Sequence, residues 1–159
     1  MKAHRIYVKN EQDKEAYTPA MRSYIQAAIR DTLDYEEFED LCEISVTLTD
    51  NEKIRALNAQ YRNRDSETDV LSFPLLDGEY TEADMIDGYL PLGDIVISLE
   101  KAREQAKAAD HNINVEVAFL CVHSTLHLLG YDHETSPEDE AEMFERQDHI
   151  MKRFEKRDD

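Results

Sequence analysis

Apolar and polar residues alternate along several short segments of the chain. From Glu43 to Thr49 every second residue is apolar (Ile44, Val46 and Leu48), which predicts a strand with one buried face. The same pattern, with β-branched residues and nearby proline or glycine, predicts three further strands. They cover residues 4–9, 70–73 and 92–97.

Longer segments place apolar residues at helical spacing and begin with residues that cap helices. Five helices are predicted, with N-caps at Thr18, Asp50, Ser98, Asn114 and Ser136. The fourth, Val115 to Leu129, is apolar on nearly every side, which predicts a buried central helix. Residues 74–90 hold five acids and no base, which predicts a mobile acidic loop.

These elements favour an α+β (mixed α/β) fold in a single domain spanning residues 1–159. The helices do not strictly alternate with the strands, so a doubly wound fold is disfavoured. We expect a mixed sheet of about four strands, about five helices, and the apolar helix packed centrally.

The charge changes which partners are expected. The formal net charge is −18, so the chain should repel DNA and RNA at long range and lacks the basic character of a nucleic-acid-binding protein. No apolar run is long enough to span a membrane and no secretory signal is visible, which predicts a cytoplasmic protein. Cys42 and Cys121 lie in apolar segments and are expected to be buried, reduced thiols.

The most specific signal is three histidines in the predicted fourth helix and just beyond it. His123 and His127 are four residues apart and share one helix face. Gly130 can end the helix in a left-handed conformation and let His133 return to the pair. Three imidazoles with an open fourth position are a ligand set of catalytic zinc. Zinc peptidases have a glutamate base after the first histidine, where this chain has Ser124.

Two other segments hold candidate residues. Arg62 ends a predicted helix inside the most basic stretch of the chain, 53–64. Spacing alone favours a cation at the helix C-terminus over a clamp on phosphate. Gly93 and Asp94 begin a predicted strand, where Gly93 fits a bulge and Asp94 could face a cleft. Asp132 fits either a hydrogen-bond acceptor for a ligating histidine or a turn residue.

Together these segments match LNxxYRxxDxxTDVLSFP, LGDIxIS and HxxLHLxGYDH, in that order. The chain thereby resembles the YbeY family of bacterial ribosomal RNA maturation factors, metal-dependent endoribonucleases. The resemblance implies one zinc ion held by His123, His127 and His133, with Arg62 and His123 as catalytic residues in the same cleft. The family usually has glycine where this chain has Ser124, whose hydroxyl could narrow the cleft or position a water.

The resemblance also implies a single-strand-specific endoribonuclease that matures the 3′ end of small-subunit 16S ribosomal RNA and acts in ribosome quality control. Because the chain is so acidic, we expect a local basic cleft, weak binding to free RNA, and ribosomal protein or GTPase partners. Two alternatives remain: a zinc metallopeptidase-like hydrolase, and a non-catalytic ribosome-assembly factor with a structural metal.

Overall fold

Four strands and five α-helices are formed by the residues that this computed structural model describes, 3–76, 79–131 and 136–157. The strands are β1 (Arg5–Asn10), β2 (Cys42–Thr49), β3 (Val70–Pro74) and β4 (Leu90–Ser98). The helices are α1 (Pro19–Tyr35), α2 (Asn51–Arg62), α3 (Leu99–Ala108), α4 (Ile113–Leu128) and α5 (Pro137–Arg157). A short 3₁₀ turn, Glu82–Asp84, lies in the segment predicted as an acidic loop.

The strands form one mixed sheet in the order β1-β2-β4-β3. β1, β2 and β4 are parallel, and β3 runs antiparallel to β4 at the edge. The predicted α+β fold with a four-stranded mixed sheet is therefore confirmed. None of the described helices is both long enough and apolar enough to cross a membrane.

The two faces of the sheet carry different helices. On one face Ile95 and Ile97 of β4 join the main core with α1, α3, α4 and α5. Val96, between them, points to the other face and packs with Leu71 and with Ile54 of α2. α2 and α4 therefore lie on opposite faces of the sheet.

The predicted helix caps are confirmed for four of the helices. Thr18, Asp50, Ser98 and Ser136 accept backbone hydrogen bonds from the first turns of α1, α2, α3 and α5. The prediction of Asn114 as the cap of α4 was wrong. Asn112 has the extended backbone of a cap, and its Oδ1 accepts a hydrogen bond from the Asn114 amide at 2.7 Å, so α4 begins at Ile113.

α4 is the central buried helix, as predicted. Twelve of its residues are buried, including Val117, Leu120 and Leu126. Cys42 and Cys121 are both buried and form no disulfide bond, and burial raises the pKa of the Cys121 thiol. The prediction of two buried, reduced thiols is confirmed.

Gly93 allows α4 to approach β4. The register with β2 shifts here, pairing Glu43 with Pro91 but Ile44 with Gly93, so that a bulge is present as predicted. A Cβ on Gly93 would lie 2.4 Å from the Phe73 carbonyl oxygen and 2.8 Å from Cδ2 of Leu128. The last turn of α4 therefore packs on β4 because position 93 has no side chain.

We expect Gly93→Ala to reduce the free energy of unfolding by about 3 kcal/mol, because it combines backbone strain at φ +152° with a clash against a main-chain atom. Equilibrium urea unfolding measures the change. Gly88→Ala is the control, since Gly88 also has a positive φ, +83°, but no heavy atom within 4 Å of an added Cβ. It should lose only about 1 kcal/mol. Equal losses in the two variants would show that the contact with α4 is unimportant.

Candidate active site

His123 and His127 lie side by side near the end of α4. Their ring centroids are 4.7 Å apart with an interplanar angle of 73°, and both side chains are half-buried. His133, the third predicted ligand, and Asp132 lie outside the described residues. Within the described ranges no group of three histidine, cysteine or acidic side chains is placed to hold a metal. The structure thus brings together two of the three predicted ligands.

The helix ends at Gly130 in the predicted way. Gly130 has a φ of +106°, and its amide donates to the His127 carbonyl at 3.0 Å. The Tyr131 amide donates to the Leu126 carbonyl at 3.0 Å. This pair of bonds is a Schellman motif, which reverses the chain directly after the second histidine.

Tyr131 is anchored between α1 and α5. The Arg146 guanidinium lies 4.9 Å from the centre of the Tyr131 ring and pairs with Glu36 at 2.5 Å. Burial and a hydrogen bond to Glu36 raise the pKa of Tyr131 to about 12, so its hydroxyl stays protonated. The segment that leads to His133 therefore leaves α4 from a fixed position.

Gln147 of α5 orients His123. Its Oε1 lies 2.6 Å from Nδ1 of His123, and its side chain is only 1% exposed. Because Oε1 can only accept, this contact favours the tautomer of His123 with the proton on Nδ1 and the lone pair on Nε2. Phe119 stacks on the same ring at a centroid distance of 6.5 Å. A neutral imidazole with an unprotonated Nε2 is the form that binds a divalent metal, so this donor fits the implied ion.

Ser124 does not line the site. It is fully buried, and it lies one turn before Leu128, on the side of α4 that faces β4. Its Oγ has no hydrogen-bond partner among the described residues. The expectation that its hydroxyl narrows the cleft is therefore wrong, because the side chain is buried and is not among the described residues that line the cleft. The expectation that it positions a water stays a prediction.

A cleft of about 450 Å³ opens beside His127. Its described lining is mainly apolar: Phe38, Pro74, Leu75, Leu76, Tyr80, Leu92, His127, Leu128, Leu129 and Gly130. No lysine or arginine is among these residues. The expected local basic cleft is therefore not formed here by the part of the chain that the structure describes.

Arg62 is exposed in the last turn of α2, directly before Asn63, which takes the left-handed conformation at φ 58°. It is absent from the described cleft lining, and its helix lies on the sheet face opposite α4. Within the described ranges the side chains of Arg62 and Arg64 form no hydrogen bond or ion pair, whereas Arg55 pairs with Asp65 at 2.8 Å. Asp94 is also exposed, on the face that carries α2. The catalytic role of Arg62 stays a prediction.

Comparisons with known proteins decide the family. The family model described as Endoribonuclease YbeY matches residues 7–155. The chain belongs to the YbeY endoribonuclease family. The Endoribonuclease YbeY of Acetivibrio thermocellus is 45% identical over 154 residues, covering 92% of this chain and 94% of its own. That of Caldanaerobacter subterraneus subsp. tengcongensis is 48% identical, covering 94% and 96%.

A solved structure shows the same fold. The solution structure of TM1509 from Thermotoga maritima matches 92% of this chain and 86% of its own, with a TM-score of 0.58 and 27% sequence identity. The mixed sheet and helices of this YbeY-family chain are therefore an arrangement that also occurs in an experimentally determined structure.

Neither Gln147 nor the Glu36–Arg146 pair of this YbeY-family chain was predicted from the sequence. One signal for Gln147 was available. It lies four residues after Met143 and three before Ile150, both buried, so a polar residue stands on the apolar face of α5. A buried amide in that position requires a partner. No comparable signal exists for Glu36 and Arg146, which are distant in the sequence.

We expect Gln147→Leu to change the tautomer of His123, because the acceptor for Nδ1–H is removed. Long-range ¹H–¹⁵N NMR of the histidine rings in metal-free protein, at about pH 8 where imidazole is neutral, measures this. Gln147→Glu keeps an acceptor and should keep the proton on Nδ1. Gln105→Leu, which removes a hydrogen bond to Asp69 in another part of the fold, is the control. An unchanged His123 spectrum in Gln147→Leu would contradict the orienting role.

Ser124→Ala should increase the free energy of unfolding by about 1 kcal/mol, because it removes a buried hydroxyl without a described partner and improves helix propensity. Ser124→Gly should instead destabilise the protein, because glycine disfavours a helix interior. Urea unfolding of both variants tests this, and a loss of stability in Ser124→Ala would show that the hydroxyl makes a stabilising bond.

Proposed function

We propose that this chain is a metal-dependent endoribonuclease that cleaves single-stranded RNA in the maturation of ribosomal RNA. The observation that carries the proposal is the His123–His127 pair beside an open cleft, in a chain matched over residues 7–155 by the YbeY model. That match supports an endoribonuclease role in ribosomal RNA processing.

The metal in this proposal is a single zinc ion, held by His123, His127 and His133. The support is the chemistry of the donors: imidazoles bind zinc in their neutral form, and the Gln147 bond favours the His123 tautomer whose Nε2 is unprotonated. Bound zinc supplies Lewis acidity toward a phosphoryl oxygen and makes water nucleophilic near pH 7. Three protein ligands would leave the open position that a catalytic site needs.

Three residues that are not metal ligands have separate roles in this proposal. Gln147 orients the His123 ring, and the Tyr131 anchor fixes the start of the segment that carries His133. Arg62 would contact an RNA phosphate away from the apolar cleft. It can do so because it is exposed, and because its helix packs on β3, the edge strand whose last residue, Pro74, lines the cleft.

The two alternatives are less well supported. A zinc peptidase needs a general base beside its first histidine, but position 124 is a serine whose side chain is fully buried. A structural metal is usually closed by four protein ligands, whereas His127 lines an open cleft. The YbeY match favours neither alternative.

We further propose that this activity acts on the 3′ end of 16S ribosomal RNA and in ribosome quality control, in the cytoplasm. Ribosomal proteins or a GTPase would bring the enzyme to its substrate. A net charge of −18 supports this requirement, because phosphate contacts normally supply most of the affinity for nucleic acid.

The deciding experiment combines metal analysis with cleavage of single-stranded RNA by protein freed of contaminating nucleases. His127→Ala should lose bound zinc and reduce cleavage by at least 100-fold, because one of three ligands is removed. Arg62→Ala should keep the metal and reduce turnover about tenfold or more, as expected for loss of a charged contact to phosphate. Arg64→Ala, an exposed arginine two residues away, should cleave as wild type.

The outcomes separate the parts of the proposal. If His127→Ala cleaves RNA normally, the metal site is not the active site. If Arg62→Ala behaves like Arg64→Ala, the phosphate contact is wrong. Mapping the product ends tests the nucleophile: attack by water leaves 3′-hydroxyl and 5′-phosphate ends, and a cyclic phosphate would instead show attack by the ribose 2′-hydroxyl.

A further inference from the structure

The cleft beside His127 has an aromatic wall that the proposed chemistry does not use. Phe38, from the connection between α1 and β2, and Tyr80, from the segment before β4, stack with centroids 6.0 Å apart at an angle of 23°. Both rings are half-buried and both line the cleft. His127 lines the same cleft.

This aromatic wall is held in place. The Tyr80 hydroxyl donates a hydrogen bond to Asp40, and that bond, with burial, raises the pKa of Tyr80 to about 12. The ring is therefore fixed by a hydrogen bond at one end and by Phe38 on its face. Rings fixed in this way lose little side-chain entropy when a ligand stacks on them.

The charge of the molecule limits how an RNA strand can bind here. The net charge is −18, and the described cleft lining holds no lysine or arginine. Residues 77–78 and 132–135, which lie outside the described ranges, include no lysine or arginine by sequence. Ion pairs between phosphates and basic side chains therefore do not supply the affinity inside the cleft. Of the other two components of a nucleotide, the ribose and the base, only the base has an aromatic face that can stack on this wall.

We propose that Phe38 and Tyr80 form a subsite that stacks an unpaired nucleobase of the RNA next to the bond that is cleaved. This inference rests on the proposed function. Aromatic side chains stack on the faces of any base, and only an unpaired base can leave its neighbours to do so. A cleft of about 450 Å³ has room for a base. The subsite therefore selects single-stranded RNA without needing positive charge.

The test compares an RNA oligonucleotide with matched oligonucleotides that carry one abasic ribose, placed in turn at each nucleotide around the scissile bond. Binding is measured by fluorescence anisotropy and cleavage by kcat/KM. Wild type should lose about tenfold in both at one position and little at the others. Binding should be weak and should depend only shallowly on salt, because few phosphates are neutralised.

Three variants test whether the rings of Phe38 and Tyr80 are the ones that stack on the base. Phe38→Leu keeps apolar volume but loses the ring, so it should bind the intact RNA about tenfold more weakly and no longer distinguish it from the abasic RNA. Tyr80→Phe keeps the ring and should still discriminate. Tyr7→Leu is the matched control, because Tyr7 is 51% exposed on edge strand β1, away from the cleft. Zinc content and urea unfolding are measured for each variant.

Equal binding of intact and abasic RNA by wild type, or discrimination retained by Phe38→Leu, would overturn the stacking subsite while leaving the endoribonuclease proposal intact. A steep salt dependence would also overturn it. Absence of RNA cleavage by wild type would instead overturn the proposed function. The comparison of binding between intact and abasic RNA would still decide whether the aromatic wall stacks a base. Binding of an apolar peptide at the same cleft, in competition with RNA and lost in Phe38→Leu, would show that the aromatic wall serves a peptide.

Discussion

Burial of α4 on nearly every side is the constraint on which the rest of the structure depends. A helix of this kind brings its polar side chains into the core, where each requires a partner or an opening to solvent. Thr125 donates to the Cys121 carbonyl at 2.7 Å, and His123 contacts Gln147. His127 reaches the cleft. The candidate site therefore lies where polar side chains of this buried helix either form hydrogen bonds within the protein or reach the open cleft.

Two glycines determine where that opening lies. Gly93 lets the last turn of α4 rest against β4, since any side chain there would meet Leu128 and the Phe73 carbonyl. Gly130 then reverses the chain directly after His127. The depth at which His127 sits and the direction in which the chain leaves it are thus fixed by backbone geometry. Contacts with Glu36 and Arg146 then fix the position of Tyr131, the residue that follows Gly130.

Local patterns in the sequence were sufficient for the sheet, four helix caps, the histidine pair and the turn at Gly130, because each depends on a few neighbouring residues. Properties that depend on packing were not predictable in the same way. Asn114 was predicted to cap α4, but the extended backbone of a cap is found at Asn112. Ser124 is next to His123 in sequence but points toward β4, since adjacent helical positions differ in direction by about 100°. The described lining of the apolar cleft comes from five separate stretches of the chain, so its lack of basic side chains could not be deduced from local composition.

The acidity of the chain and the lack of basic side chains among the described residues of the cleft have one physical explanation. A net charge of −18 favours the approach of a divalent cation to the histidines and opposes the approach of a polyanion. A nuclease with this charge needs a source of substrate affinity that does not oppose the proposed metal site, and the proposed stacking on neutral rings would be such a source. Basic residues in the cleft would strengthen RNA binding but would repel the metal ion at close range. Arginine is therefore better placed outside the cleft, where Arg62 lies, and Phe38 and Tyr80 inside it.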